Sequence, residues 1–120
     1  MDTDRGLLSE ELNRAVESLS EVFAARSIHY ALIGGLAAFM CGRVPFTNHV
    51  DCLLDVPQIA LPRLLDDLVQ KGFTLDPAIV VKEYVQEHMT SFPFGRIRID
   101  WLKPVLPLYA HALASAEPLK

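Results

Sequence analysis

Only two cysteines and one tryptophan occur among the 120 residues. Cys41 and Cys52 both stand in apolar context, where buried free thiols are expected rather than a disulfide or a metal pair. No zinc-finger spacing and no Walker loop are present, which removes two common binding classes. Gly-x-Ser-x-Gly is missing too, and neither cysteine has an activating neighbour, so serine- or cysteine-nucleophile chemistry finds no support. Long hydrophobic runs are also lacking. The longest apolar stretch, residues 28–41, is interrupted by His29 and a glycine pair and is too short to span a bilayer, so no membrane association is expected. The opening MDTDRG has neither the basic start nor the apolar centre of a signal peptide, and a cytoplasmic protein is expected. Positive charge is scarce: 11 Lys and Arg stand against 15 Asp and Glu, a net charge of −4. That argues against broad nonspecific nucleic-acid binding, while leaving room for a small anion held by a few local groups.

What remains is the composition of one globular domain covering residues 1–120, with 51% apolar and 22% charged residues. From Ser9 to about Arg26, Leu12, Val16, Leu19, Val22 and Phe23 recur at helical spacing, with Ser9 as the expected N-cap. HYALI (29–33) reads as a strand broken by Gly34-Gly35. Leu36–Cys41 follows as a short helix stopped by Gly42, and residues 43–48 as a loop. His49–Val56 is a second strand whose near-continuous apolar character asks for cover on both faces. A helix follows with its regular part from Pro62 and an expected core stripe spanning Ile59, Leu61, Leu64, Leu65, Leu68 and Val69. Gly72 is its stop. Residues 79–85 suit either a strand or a short helix. Residues 87–92 and 96–102 read as an antiparallel hairpin turned at Pro93–Gly95, and Leu106–Ser115 as a last helix. The pattern predicts an α/β (α+β) domain, a mixed β-sheet flanked by helices. A helix between the first two strands suggests that they run parallel.

FTNHVDCLLDV (46–56) holds the first functional signal. Residues two apart on a strand face the same way, so His49 and Asp51 stand together at the start of an apolar strand. In RIRIDWL (96–102) the same alternation sets Arg96, Arg98 and Asp100 against Ile97, Ile99 and Trp101. An unpaired aspartate in such a strand is costly to bury. Were the two strands neighbours, His49, Asp51 and Asp100 would make a divalent-metal site. The alternative for Asp100 is an ion pair with Arg96, Arg98 or Lys103, and for His49 a backbone or solvent hydrogen bond. Gly34-Gly35, between a strand and a helix start, suits a phosphate or simply a tight turn.

The segment YALIGGLAAFMCGRVPFTNHVDCLLDV resembles the polymerase-β-like nucleotidyltransferase superfamily, in particular its small bacterial abortive-infection and toxin–antitoxin branch. That family shows a strand, a Gly-Gly or Gly-Ser pair, a short helix, a loop with Gly and Arg, a Thr, a strand with Asp-x-Asp, and a third carboxylate on a later strand. The resemblance spans roughly residues 28–103 and implies a nucleotidyltransferase-like domain. By it Gly34, Gly35, Arg43 and Thr47 would bind nucleotide. Asp51 and Asp100 would be catalytic, and His49, Asp51 and Asp100 would meet Mg²⁺ or Mn²⁺ holding a nucleoside triphosphate. Two positions depart from the pattern. His49 replaces the first aspartate, and Pro45 stands where an arginine is usual. Imidazole offers one nitrogen lone pair, a poor Mg²⁺ ligand though acceptable to Mn²⁺. Many members also continue with further helices that help hold substrate. The resemblance therefore implies a nucleotidyltransferase fold with impaired or lost transfer. Its alternatives are an active enzyme using a His-tolerant metal such as Mn²⁺, or a non-catalytic interaction module or toxin–antitoxin component. A mean hydropathy of +0.24 suits a surface covered by a homodimer mate or partner protein.

Overall fold

The computed structural model describes residues 3–34, 42, 47–105 and 107–114. Helix α1 (Thr3–Ala25) starts earlier than its apolar spacing suggests. Ser9 lies inside it and is not its cap, because Leu8 adds another position packed on the core. Leu12, Ala15, Leu19, Val22 and Phe23 are its buried stripe. The helix closes with Ser27 at φ 55°. Ile28 N–H bonds the Phe23 carbonyl at 2.8 Å and Ser27 N–H the Ala24 carbonyl at 3.2 Å, a Schellman ending that turns the chain into the sheet.

Strands β1 (Tyr30–Ile33), β2 (His49–Leu54), β3 (Met89–Phe94) and β4 (Ile97–Leu102) form one mixed sheet in the order β1-β2-β4-β3. This is the α+β domain that the pattern predicts. The first pair, however, is antiparallel rather than parallel. A helical segment between two strands sets the length of their connection, not its direction. The parallel partner of β2 is β4, reached through two helices and β3, a connection long enough for a crossover.

After β2, Gln58–Ala60 forms a single 3₁₀ turn and α2 (Leu61–Gln70) follows. Leu61, Leu64, Leu65 and Leu68 are fully buried, as the stripe predicts. Ile59 and Val69 are not core: Ile59 is 90% exposed, because it sits in the tighter turn before the α-helical period begins. Gly72 (φ 106°) ends α2 as expected, with Phe73 N–H on the Leu68 carbonyl at 3.0 Å. The ambiguous segment is helical: α3 (Pro77–Lys82) runs into a π-helical turn, Glu83–Glu87. Asp76 caps α3 by accepting a hydrogen bond from Ala78 N–H at 3.0 Å. In the π turn, the buried Tyr84 hydroxyl donates to the Leu54 carbonyl at 2.6 Å and accepts from Val56 N–H at 3.2 Å, securing the end of β2. Burial pushes that phenol's pKa up to about 12.

The hairpin turn lies at Gly95–Arg96 rather than Pro93–Gly95, so β3 extends two residues further than expected, through Phe94. Gly95 has φ 58°, in the position where a II′ hairpin turn favours glycine. Helix α4 (Pro107–Ala114) closes the fold. The ring of His29 donates to the carbonyl of Leu113, tying α4 to the start of β1.

Alternation splits the sheet into two unlike faces. On one, Val50, Cys52, Leu54, Phe92, Ile97, Ile99 and Trp101 pack with α1, α2 and α3 into the main core. Trp101 is fully buried, with Phe92 edge-on at 5.2 Å and Phe23 tilted at 6.0 Å. Cys52 is a buried free thiol there, its ionisation opposed by burial. On the other face, Ala31, Leu53 and Leu113 make a small second cluster with Ile33, Leu102 and Ala112, which gives β2 the cover on both sides that its sequence demands.

Candidate functional site

The register of the second face sets its chemistry. Three rows run across the strands. The first is Ala31, Leu53, Leu102 and Met89, the second Ile33, Asp51, Asp100 and Ser91, and the third His49, Arg98 and Pro93. Helix α4 covers the apolar row. The next row places both aspartates side by side on parallel strands. Asp51 and Asp100 are direct register partners, near enough for each to act on the other's ionisation.

Each carboxylate has a distinct environment. Asp100, buried to 7% exposure, accepts at Oδ1 from the Ser91 hydroxyl at 2.6 Å and from Arg98 Nε at 2.8 Å. Burial alone would raise its pKa, but the bonds from Ser91, Arg98 and Asp51 together bring it below the ordinary carboxylate value. Asp51 lacks these donors. Burial raises its pKa, and the hydrogen bond and charge of Asp100 raise it further, against the opposing pull of His49 and Arg98. Two like charges so close do not both ionise easily, and of the two Asp51 holds its proton more tightly.

Gly34 closes the site from β1. It follows Ile33, the residue opposite Asp51, and has φ 70°. A Cβ there would run into the Asp51 carboxylate, so the position needs glycine for conformation and for space. His49 opens β2 and is exposed, near enough to act electrostatically on Asp51. Thr47 lies just before it, and its Oγ1 accepts from His49 N–H at 3.2 Å. Gly35 and Arg43, together with the expected helix at Leu36–Cys41, lie outside the described residues. Sequence reasoning offered Arg98 as one possible partner for Asp100 but did not find Ser91. The signal that could have found Ser91 is the hairpin turn: once it is set at Gly95–Arg96, counting back pairs residue 91 with residue 100.

No group of three or more His, Cys, Asp or Glu side chains gathers around a common point among the described residues. What does gather is the carboxylate pair. Two adjacent carboxylates suit a hard divalent cation, which takes one or two carboxylates and leaves its other positions to water and phosphate. Asp51 and Asp100 would hold such an ion, with His49 at the margin. A surface hollow of ≈ 550 Å³ lined by Ala25, Arg26, Ile28, Ile59, Ala60 and Arg63 shares no residue with the pair. Among the described residues, no helix is long and apolar enough to cross a membrane. No family model matches the chain, and no curated protein or solved structure matches it either.

Proposed function

We propose that this chain is a nucleotidyltransferase-fold protein whose nucleotidyl transfer is impaired or lost because His49 stands where the superfamily places its first metal-binding aspartate. The observation that carries the reading is the row Asp51–Asp100 on adjacent parallel strands, with the Gly34 backbone turning directly against Asp51. It supports the resemblance, which expects a glycine pair after the first strand and its second and third carboxylates on separate strands. A divalent cation on the pair would neutralise the charge of a nucleoside triphosphate. Of the chain's own groups, Asp51 and Asp100 would hold that ion, and Gly34 would leave room beside it. The exposed imidazole of His49 brings no second anionic oxygen pair to the site. Loss of one charge-stabilising group of this kind costs ~10²–10³ in rate.

Calorimetric titration of Mg²⁺ and Mn²⁺, each with and without ATP, tests the reading on the native chain and on His49→Asp. Binding that appears or strengthens in His49→Asp is the expected result. The nearness of His49 to Asp51 favours a second reading, an active enzyme using Mn²⁺. In that case the native chain binds Mn²⁺–ATP and turns it over, and Asp51→Ala loses both. No binding by either protein overturns both readings and leaves the fold as an interaction module, for which the oligomeric state in solution is then the quantity to measure.

A further inference from the structure

The Asp51–Asp100 pair already has a cation beside it. Arg98 is two residues before Asp100 on β4, in register with His49 on β2. Its Nε reaches Asp100 Oδ1 at 2.8 Å, and its side chain is 54% exposed while that of Asp100 is 10% exposed. The guanidinium therefore lies on the outer side of a carboxylate that is itself largely buried. It also acts electrostatically on Asp51.

We infer that Arg98 is a built-in counter-ion that holds the place of a divalent cation at the carboxylate pair, so that an incoming ion must displace it. The inference rests on the proposed function only in taking the pair as a cation site. The pair is negatively charged, and the Arg98 guanidinium on Asp100 Oδ1 offsets part of that charge. A guanidinium stays charged at any pH the fold survives, so the balance is undone by movement of the side chain and not by titration. Only the Arg98 side of this ion pair is exposed, so the guanidinium can move into water while the carboxylate stays in place. The device thus lowers the affinity of the pair for cations without abolishing it. Ser91, bonded to the same oxygen at 2.6 Å, contributes no charge and should not compete.

Titration of Mn²⁺ alone, without nucleotide, tests this on the native chain, Arg98→Gln, Arg98→Lys and Ser91→Ala. Arg98→Gln should bind Mn²⁺ roughly tenfold more tightly than the native chain, on the order of a lost charge-assisted contact. Mn²⁺ should also raise its Tm by more than it raises the native value. Arg98→Lys keeps the charge and should bind like the native chain, and Ser91→Ala should show no comparable gain. Equal or weaker binding by Arg98→Gln overturns the inference. So does an equal gain in Ser91→Ala, which would mean that access to the oxygen, not charge, is limiting. Should Arg98→Gln fail to fold, tight binding by Arg98→Lys would overturn it in the same way. No gain in Arg98→Gln beside Mn²⁺–ATP binding by His49→Asp sinks this inference alone. A gain in Arg98→Gln beside a His49→Asp that ignores ATP sinks the nucleotidyltransferase reading alone.

Discussion

The two faces of this sheet are built from the same strands and obey different physics. Along β4, Ile97, Ile99 and Trp101 point into a core closed by three helices, whereas Arg98 and Asp100 point the other way. The core face is held by area: Trp101, Ile97 and Ile99 are each fully buried. The second face has an apolar row under α4 and then a polar row in which each group depends on a named partner. Burying an apolar side chain is favourable wherever it packs, but burying a carboxylate is tolerated only when donors or a proton offset its desolvation. Among the described residues, the polar chemistry of the sheet gathers beyond the apolar row that α4 covers.

Substitutions on the two faces should separate these two kinds of stabilisation. The largest effect is expected from the core face. Trp101→Ala removes the ring that Phe23, Tyr84 and Phe92 surround and should cost ~3–5 kcal/mol in denaturant unfolding. A loss under about 1 kcal/mol would break the comparison.

Next comes Gly34→Ala on the second face, which forces a side chain into positive φ and against Asp51. It should cost about 2 kcal/mol. Asp51→Ala in the same chain should recover the part of that loss due to the clash, as a double-mutant cycle would read. Full additivity of the two changes would show that Gly34 and Asp51 do not meet.

The smallest effect is electrostatic. The folded chain holds the Asp51 proton more tightly than the unfolded chain. Stability contributed at this site is therefore lost as pH rises from the ordinary aspartate value, about 3.9, through the raised one. Asp100 has the opposite sign: its stabilisation is present above about 3.9 and is lost as pH falls below it. Asp51→Asn should accordingly be more stable than the native chain at neutral pH, by ~0.5 kcal/mol or less given solvent screening. The advantage should fade toward about pH 4. Unfolding midpoints across pH 4–8 check this, and a constant offset would show that folding does not raise the pKa of Asp51.

Much of this was legible in the chain. Helical spacing marked the stripe of α1 and the buried leucines of α2, and Gly72 marked the end of α2. Alternation in RIRIDWL assigned each residue of β4 to its face, and Gly34, Asp51 and Asp100 stood out as polar or flexible residues in apolar surroundings. The misreadings share one cause. The direction of β1 against β2, the exposure of Ile59 and the true hairpin turn all depend on geometry at element ends, where a shift of one or two residues changes the partner. The turn shift is what hid Ser91.

The sequence by itself determined most of the helical and extended stretches, residues 79–87 apart, and which face of each strand is apolar, because those follow from periods of two and 3.6 along a local stretch. Only the tertiary structure decided that β2 lies beside β4, in the register that sets Asp51 against Asp100 and leaves Arg98 as their counter-ion. That pairing joins segments far apart in the chain. It is selected by how α1, α2 and α3 pack on one face and α4 on the other, a balance summed over the whole core that no short stretch of sequence contains.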